Sequence, residues 1–330
     1  MEAGQAFESA PISTGRLPPA HQVRAVVDAA YEQCKSIDEG ENAAHYPALA
    51  AVSRDLFGVC VADVTGRMYA VGDADHPFTI MSVAKPFVFA LVCQVFGAEQ
   101  VRARIGVNST GLPFNSVMPL ELNADRLTNP MVNTGAMATT SLAPGSTAQA
   151  KWEWIHEGLS RFAGNTLVLN DDVYASASAS NQRNRGLARF LEAYDRLYFD
   201  AVATVDLYTR QSSLNVTARD LAVMGATLAD GGVNPVTRER VIDADTCQRV
   251  LAVMATAGLY ETSGDWLYDV GLPGKSGVGG GIITVAPGKG GLATFAPPLD
   301  ASGNSVKGQL AARHLSRSLG LNLFASRASD

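Results

Sequence analysis

Apolar positions divide the chain into two kinds of segment. Between about 20 and 36 they recur at helical spacing, with Val23, Val26, Val27 and Ala30 on one face. Leu56 to Val64 and Arg67 to Val71 are strand-like runs joined by Thr65-Gly66, which predicts a tight hairpin. A strand-like stretch at Phe78, Ile80 and Met81 then leads into a helix at Ser82, which continues into the apolar run Pro86 to Cys93. From about 100 to 216 the pattern changes to helices separated by Gly/Asn/Pro loops, two of them at Asn108–Asn115 and Leu127–Asn133. Helices are predicted at 147–163, 183–197, 200–211 and 217–230, the last with Thr217 as N-cap and Gly231-Gly232 as stop. Strand character returns only after Gly271, as a hairpin-like pair at Ser276–Pro287 and Gly291–Pro297, and a last helix follows from about Asn304 to Leu319. This order predicts an α+β fold: an antiparallel sheet built from both chain ends and flanked by helices, with an all-helical subdomain at about 100–216 inserted between. Residues 1–18, small, polar and marked by prolines, read as a flexible arm ahead of a single domain over 19–330. The Ala/Ser tract 175–180 is a low-complexity patch.

Composition narrows the function. With 330 residues, 47% of them hydrophobic, the chain can bury a large core. A net charge of −6 gives no field to attract nucleic acid or an anionic membrane. No run of about 18 apolar residues predicts a membrane span, and the acidic N-terminus lacks the layout of a secretory signal. Cys34, Cys60, Cys93 and Cys247 are scattered and read as reduced thiols of a cytoplasmic protein, with Cys60 and Cys93 in apolar runs. The histidines 21, 45, 76, 156 and 314 form no HxxxH or HxH pair, so a catalytic metal is not expected.

Chemistry enters at Ser82-Val83-Ala84-Lys85. Three residues turn a helix by about 300°, which puts the hydroxyl and the ammonium on one face. Backbone N–H groups at a helix start are unpaired and suit an anionic partner. A desolvated lysine loses basicity and can take a serine proton near neutral pH. By itself Ser-x-x-Lys is common, although none of the other lysines (35, 151, 275, 289, 307) has a serine three residues before it. Lys275-Ser276-Gly277, 190 residues after Lys85, is similar to the Lys-Thr/Ser-Gly element that accompanies Ser-x-x-Lys in penicillin-recognising hydrolases. The glycines there are expected to let a substrate approach the strand backbone.

Five longer words resemble the serine-dependent glutaminases: Ser109-Thr-Gly-Leu-Pro-Phe-Asn-Ser116, Asn129-Pro-Met-Val-Asn-Thr-Gly-Ala136, the segment Asp220 to Gly232, Gly271-Leu-Pro-Gly-Lys-Ser-Gly-Val-Gly-Gly-Gly281, and the segment Pro297 to Gly308. The likeness runs collinearly over about 20–320. It implies a serine β-lactamase/transpeptidase-like fold, cofactor-free hydrolysis of L-glutamine to L-glutamate and ammonia, and a homodimer or homotetramer. Carried over by position, it implies Ser82 as nucleophile, Lys85 as its activator, and Tyr208 and Tyr260 as the active-site tyrosines. It further implies Asn133 and Asn184 as substrate contacts, and the Val278 N–H as partner of the Ser82 N–H in an oxyanion hole. Two positions depart from the family. Ala177 stands seven residues before Asn184, where a glutamate is expected to pair with the substrate's α-ammonium. His45 stands where a tyrosine is expected in the Tyr-x-Pro-x-Leu word, with Tyr46 beside it. Three readings of these departures are open: an ordinary glutaminase carrying a mutation, an amidohydrolase or esterase with an altered substrate, or a weakly active ligand-binding homologue.

Overall fold

A computed structural model describes residues 15–44 and 46–325. Five antiparallel strands form the main sheet: β1 (Gly58–Asp63), β2 (Met68–Gly72), β6 (Gly274–Ser276), β7 (Gly281–Ala286) and β8 (Gly290–Phe295), in the order β2-β1-β8-β7-β6. The sheet is thus built from both chain ends, as the apolar pattern predicts. In a second sheet of three short strands, β3 (Phe78–Thr79) falls in the strand-like stretch read at Phe78, whereas β5 (Leu214–Val216) and β4 (Val168–Leu169) lie outside the predicted strands. Strand character therefore returns well before Gly271. Segments of two and three residues are too short to show an alternation of period two.

Helices cover the main sheet on both faces, so its strands read as nearly continuous apolar runs instead of alternating ones. Val59 and Val61 of β1 join one core with the helices Ala20–Cys34 and Val306–Ser318, while Cys60 and Ala62 join the other. On that second face the helix Ala218–Ala229 lies against the sheet. A Cβ on Gly225 would stand 3.0 Å from Gly291 Cα, and one on Gly291 would stand 2.3 Å from Ala222 O. This helix starts in a capping box, with Thr217 and Asp220 satisfying each other's backbone N–H. Of the N-terminal segment, 1–14 lie outside the described residues, and Leu17 packs on the sheet-and-terminal-helix core.

The helix Ala84–Phe96 runs through the middle of the helical layer, with Ala84 to Cys93 all buried. Helices over 98–105, 118–122, 133–141 and 171–180 complete the pattern between the sheet halves, together with those over 148–163, 182–193 and 201–212. The Ala/Ser tract 175–180 is part of the helix Asp171–Ser180. A helix at Ala244–Ala257, capped by Asp243, fills a region that the apolar pattern leaves unassigned. Among the described residues, no helix is long and apolar enough to cross a membrane.

Candidate active site

Ser82 lies in a 3-10 turn, Met81–Val83, that runs directly into the helix Ala84–Phe96. Met81, the residue before it, has a positive φ of 47°. A side chain that bears a Cβ is rarely left in that conformation unless surrounding contacts hold it. The β6–β7 turn supplies such contacts. A Cβ on Gly277 would lie 3.0 Å from Ile80 O and 3.3 Å from Met81 Cβ, and one on Gly279 would lie 2.6 Å from Thr79 O. The predicted strand Ser276–Pro287 is therefore two strands, β6 and β7, broken by a turn at 277–280. Two of its glycines let the serine turn approach the backbone closely. This contact carries Val278 to the cleft over Ser82, and no hydrogen bond among the described residues engages the Val278 N–H.

Ser82 is 8% exposed and its hydroxyl lies beside the Tyr208 and Tyr260 phenols, both of which it influences. The Tyr208 hydroxyl donates to Asn133 Oδ1 at 3.0 Å, and the Tyr260 hydroxyl donates to Ser276 O at 3.2 Å. Each phenol thus spends its proton elsewhere, and the single Ser82 hydroxyl proton can go to only one of the two phenol oxygens at a time. Burial drives both phenols up, Tyr208 well above its usual value and Tyr260 to about 12. Both are therefore protonated at neutral pH. Tyr260, like Met81, has a positive φ, of 56°, and its ring packs on Phe114 with centroids 4.6 Å apart.

Lys85, 2% exposed, donates to Met131 O at 3.2 Å and to Asn133 Oδ1 at 2.8 Å. Desolvation lowers its pKa to about 7. Among the described residues its hydrogen bonds go to the 131–133 segment, so its polar link to Ser82 runs through Asn133 and Tyr208. Lys275 is fully buried, donates to Ser276 O at 2.7 Å, and lies 4.3 Å from the Tyr260 ring centroid. Burial, with repulsion from Lys85, pushes it well below the usual lysine range. Ser276 turns its hydroxyl away, to Asn304 Oδ1, and Asn304 in turn donates to Thr262. Gly277 acts through its lack of a side chain, as described above.

Asn133 opens the helix Asn133–Ser141 and orders the substrate side. Its Oδ1 is taken by Lys85 and Tyr208, which leaves Nδ2 to donate to Asn184 Oδ1 at 2.9 Å. The Asn184 amide is thereby fixed, and no hydrogen bond among the described residues engages its own N–H groups, which can meet a ligand oxygen. The structure brings Ser82, Asn133, Asn184, Tyr208, Val278 and Ala177 to one cleft. Ala177 projects into it from the Asp171–Ser180 helix. His45 lies outside the described residues, but Tyr46 beside it lines the cleft. Asn181 lines it too, and sequence reasoning missed it. Its signal was available: Asn181 and Asn184 are one turn apart and share a face. Among the described residues, no three His, Cys, Asp or Glu side chains are grouped to hold a metal ion.

A serine beside two protonated phenols, with a desolvated lysine one turn along its helix, is an arrangement for acyl transfer. With a sheet made from both chain ends around a helical layer, it defines the class of serine hydrolases with the β-lactamase/transpeptidase-like fold. The sequence profile of the Glutaminase family matches residues 40–324. The chain is similar to glutaminase 2 of Yersinia pestis, with 61% identity over 315 residues that cover 96% of this chain and 93% of that one. It is also similar to a glutaminase of Brucella canis, with 49% identity over 288 residues covering 87% and 91%. A solved structure described as a probable glutaminase superposes with TM-score 0.92 at 44% identity, covering 94% of this chain and 100% of the other. The crystal structure of Mglu in its Tris and glutamate form gives TM-score 0.88 at 37% identity, covering 93% and 69%. The chain belongs to the serine-dependent glutaminase family.

Proposed function

We propose that this protein hydrolyses L-glutamine to L-glutamate and ammonia through an acyl-enzyme on Ser82. The observation that carries the reading is the serine hydroxyl beside two phenol oxygens and a lysine whose pKa lies near neutrality. Above pH 7 Lys85 is neutral and is the base; the tyrosines, still protonated, can only relay. Ser82 Oγ attacks the side-chain carboxamide carbon as neutral Lys85, with Tyr260 or Tyr208, takes up its proton. The developing oxyanion accepts from the Ser82 and Val278 N–H groups, a donor pair in which each member is typically worth about 10²–10³ in rate. Tyr260 or Tyr208 returns the proton to the departing nitrogen. Ammonia leaves, and water then cleaves the γ-glutamyl ester. The Asn184 amide, locked by Asn133, holds a substrate oxygen. Lys275 braces Tyr260 and Ser276 O.

Membership of the family supports glutamine as substrate, as does the glutamate form of the related Mglu. We extend the reading to a cytoplasmic homodimer or homotetramer with one catalytic domain over 19–330, on the family resemblance and the four buried free thiols. The test is direct: purified protein incubated with L-glutamine should yield glutamate and ammonia in equal amounts. Failure to release either would overturn the reading.

The Gly279 contact adds a second expectation. Gly279→Ala forces a methyl to within 2.6 Å of Thr79 O, so the β6–β7 turn must shift away from Ser82. A loss of about 2 kcal/mol of stability is expected. Because Val278 moves with the turn, kcat should fall by about tenfold or more. Thermal melts and initial rates check both.

A further inference from the structure

The cleft over Ser82 carries no anionic side chain. Among the described residues that line it, none is Asp or Glu. Behind it lie Lys85 and Lys275, both buried, whose hydrogen bonds among the described residues go to carbonyl oxygens of Met131, Asn133 and Ser276 and not to carboxylates. The acidic groups that Tyr260 senses are Glu261, which is exposed, and Asp300. The Asp300 carboxylate is engaged by Ser302 N, Asn304 N and the Gln309 side chain. Asp206 lines a neighbouring cavity and is held by Tyr174 and Arg210.

An α-ammonium brought into this cleft would meet only neutral acceptors. Asn181 spends its Nδ2 on Thr209 Oγ1 and has Oδ1 to offer. Ser212 and Ser213 donate their hydroxyl protons to the Tyr208 and Thr209 carbonyls and can present only lone pairs. Ala177, 4% exposed, presents a methyl group. A cation taken out of water needs an anionic partner to recover its desolvation cost. A carboxylate, by contrast, can accept from the Asn184 N–H groups, which no hydrogen bond among the described residues engages.

Resting on the hydrolase reading above, we propose that the cleft accepts terminal carboxamides of dicarboxylic acids that bear no α-ammonium at least as well as it accepts L-glutamine. The class includes glutaramate and its 2-oxo and 2-hydroxy relatives. The reaction is the same: the carboxamide C–N bond breaks, water supplies the new C–O bond, and a dicarboxylate and ammonia result. Ala177 is then the position that sets the selectivity of the site.

The experiment compares kcat/KM for glutaramate and L-glutamine in the native protein, Ala177→Glu and Ala177→Gln. The native protein should cleave glutaramate with a kcat/KM equal to or above that for L-glutamine. Ala177→Glu should move the ratio towards L-glutamine by about 10- to 100-fold, the size of a charge-assisted hydrogen bond. Ala177→Gln, of the same size but neutral, should leave the ratio near the native one. A native preference for L-glutamine of tenfold or more overturns the proposal, as does an equal shift in the Glu and Gln variants. If the Glu variant does not fold, the native ratio alone decides. Ammonia release from neither substrate would refute the hydrolase reading itself, so the two failures are distinguishable.

Discussion

Ser82→Ala should lower ammonia release from L-glutamine by about four to six orders of magnitude, the scale on which loss of a nucleophile that works within a catalytic unit is felt. The fold should survive. The hydroxyl is one small group at the wall of a cleft, and the two phenols beside it keep other contacts: Tyr208 to Asn133 and Tyr260 to Ser276. Substrate affinity should therefore outlast activity, because Asn133 and Asn184 remain locked to each other. Stopped assays for ammonia, with titration calorimetry for binding, separate the two. Retention of more than about a hundredth of native activity would mean that a different group attacks the amide.

Replacement of Lys85 by methionine has the second largest expected effect, a fall in kcat of about 10²–10⁴ as general-base assistance is lost. The pH profile is the more specific readout. In the native protein Lys85 has a pKa near 7 because it is desolvated, and only its neutral form can take the serine proton. Thus kcat/KM should rise with pH to a bend near 7 and level off above it. The Tyr260 phenol, pushed to about 12, stays protonated across that plateau. Lys85→Met should erase the bend, and Lys85→Arg, which keeps a charge at every accessible pH, should be inactive throughout. Stability follows the same ionisation. Unfolded, the lysine holds its proton up to 10.5; folded, it releases it near 7. Between these values the unfolded chain binds more protons, so this group makes folding more favourable as pH rises through the window. Below about 7 a charged ammonium must be kept buried, and its contribution is least favourable. Melting temperatures from pH 7 to 10 should climb less steeply in Lys85→Met than in the native protein.

Much of the scaffold was legible from apolar spacing alone. The β1–β2 hairpin, the Ser82 helix, the Thr217-capped helix and the return of strands near the C-terminus all carry local signals of turn, cap or period. Two strands of the small sheet were not legible, because Val168–Leu169 and Leu214–Val216 are too short to repeat a pattern and are defined by their pairing. The Gly277–Gly280 turn was only partly legible. Its glycines signal a close approach, but sequence cannot say what approaches, and the partner is the backbone at Thr79 and Ile80. At the site, the Ser82–Lys85 spacing was visible within one helix. Asn133, Asn184, Tyr208 and Tyr260 come from four separate elements, and only the family resemblance drew them together. The resemblance also flagged Ala177, whose place in the cleft now gives that departure a physical consequence. Tyr46, named beside His45 in the sequence, lines the cleft.

The central claim is a covalent bond to one oxygen atom. Native protein mixed with excess L-glutamine, quenched in acid during turnover and digested, should give a Ser82-containing peptide heavier by one γ-glutamyl group. The Ser82→Ala protein treated identically should give none. An adduct on any other residue, or turnover at full rate with no adduct on this peptide at any quench time, would contradict the account.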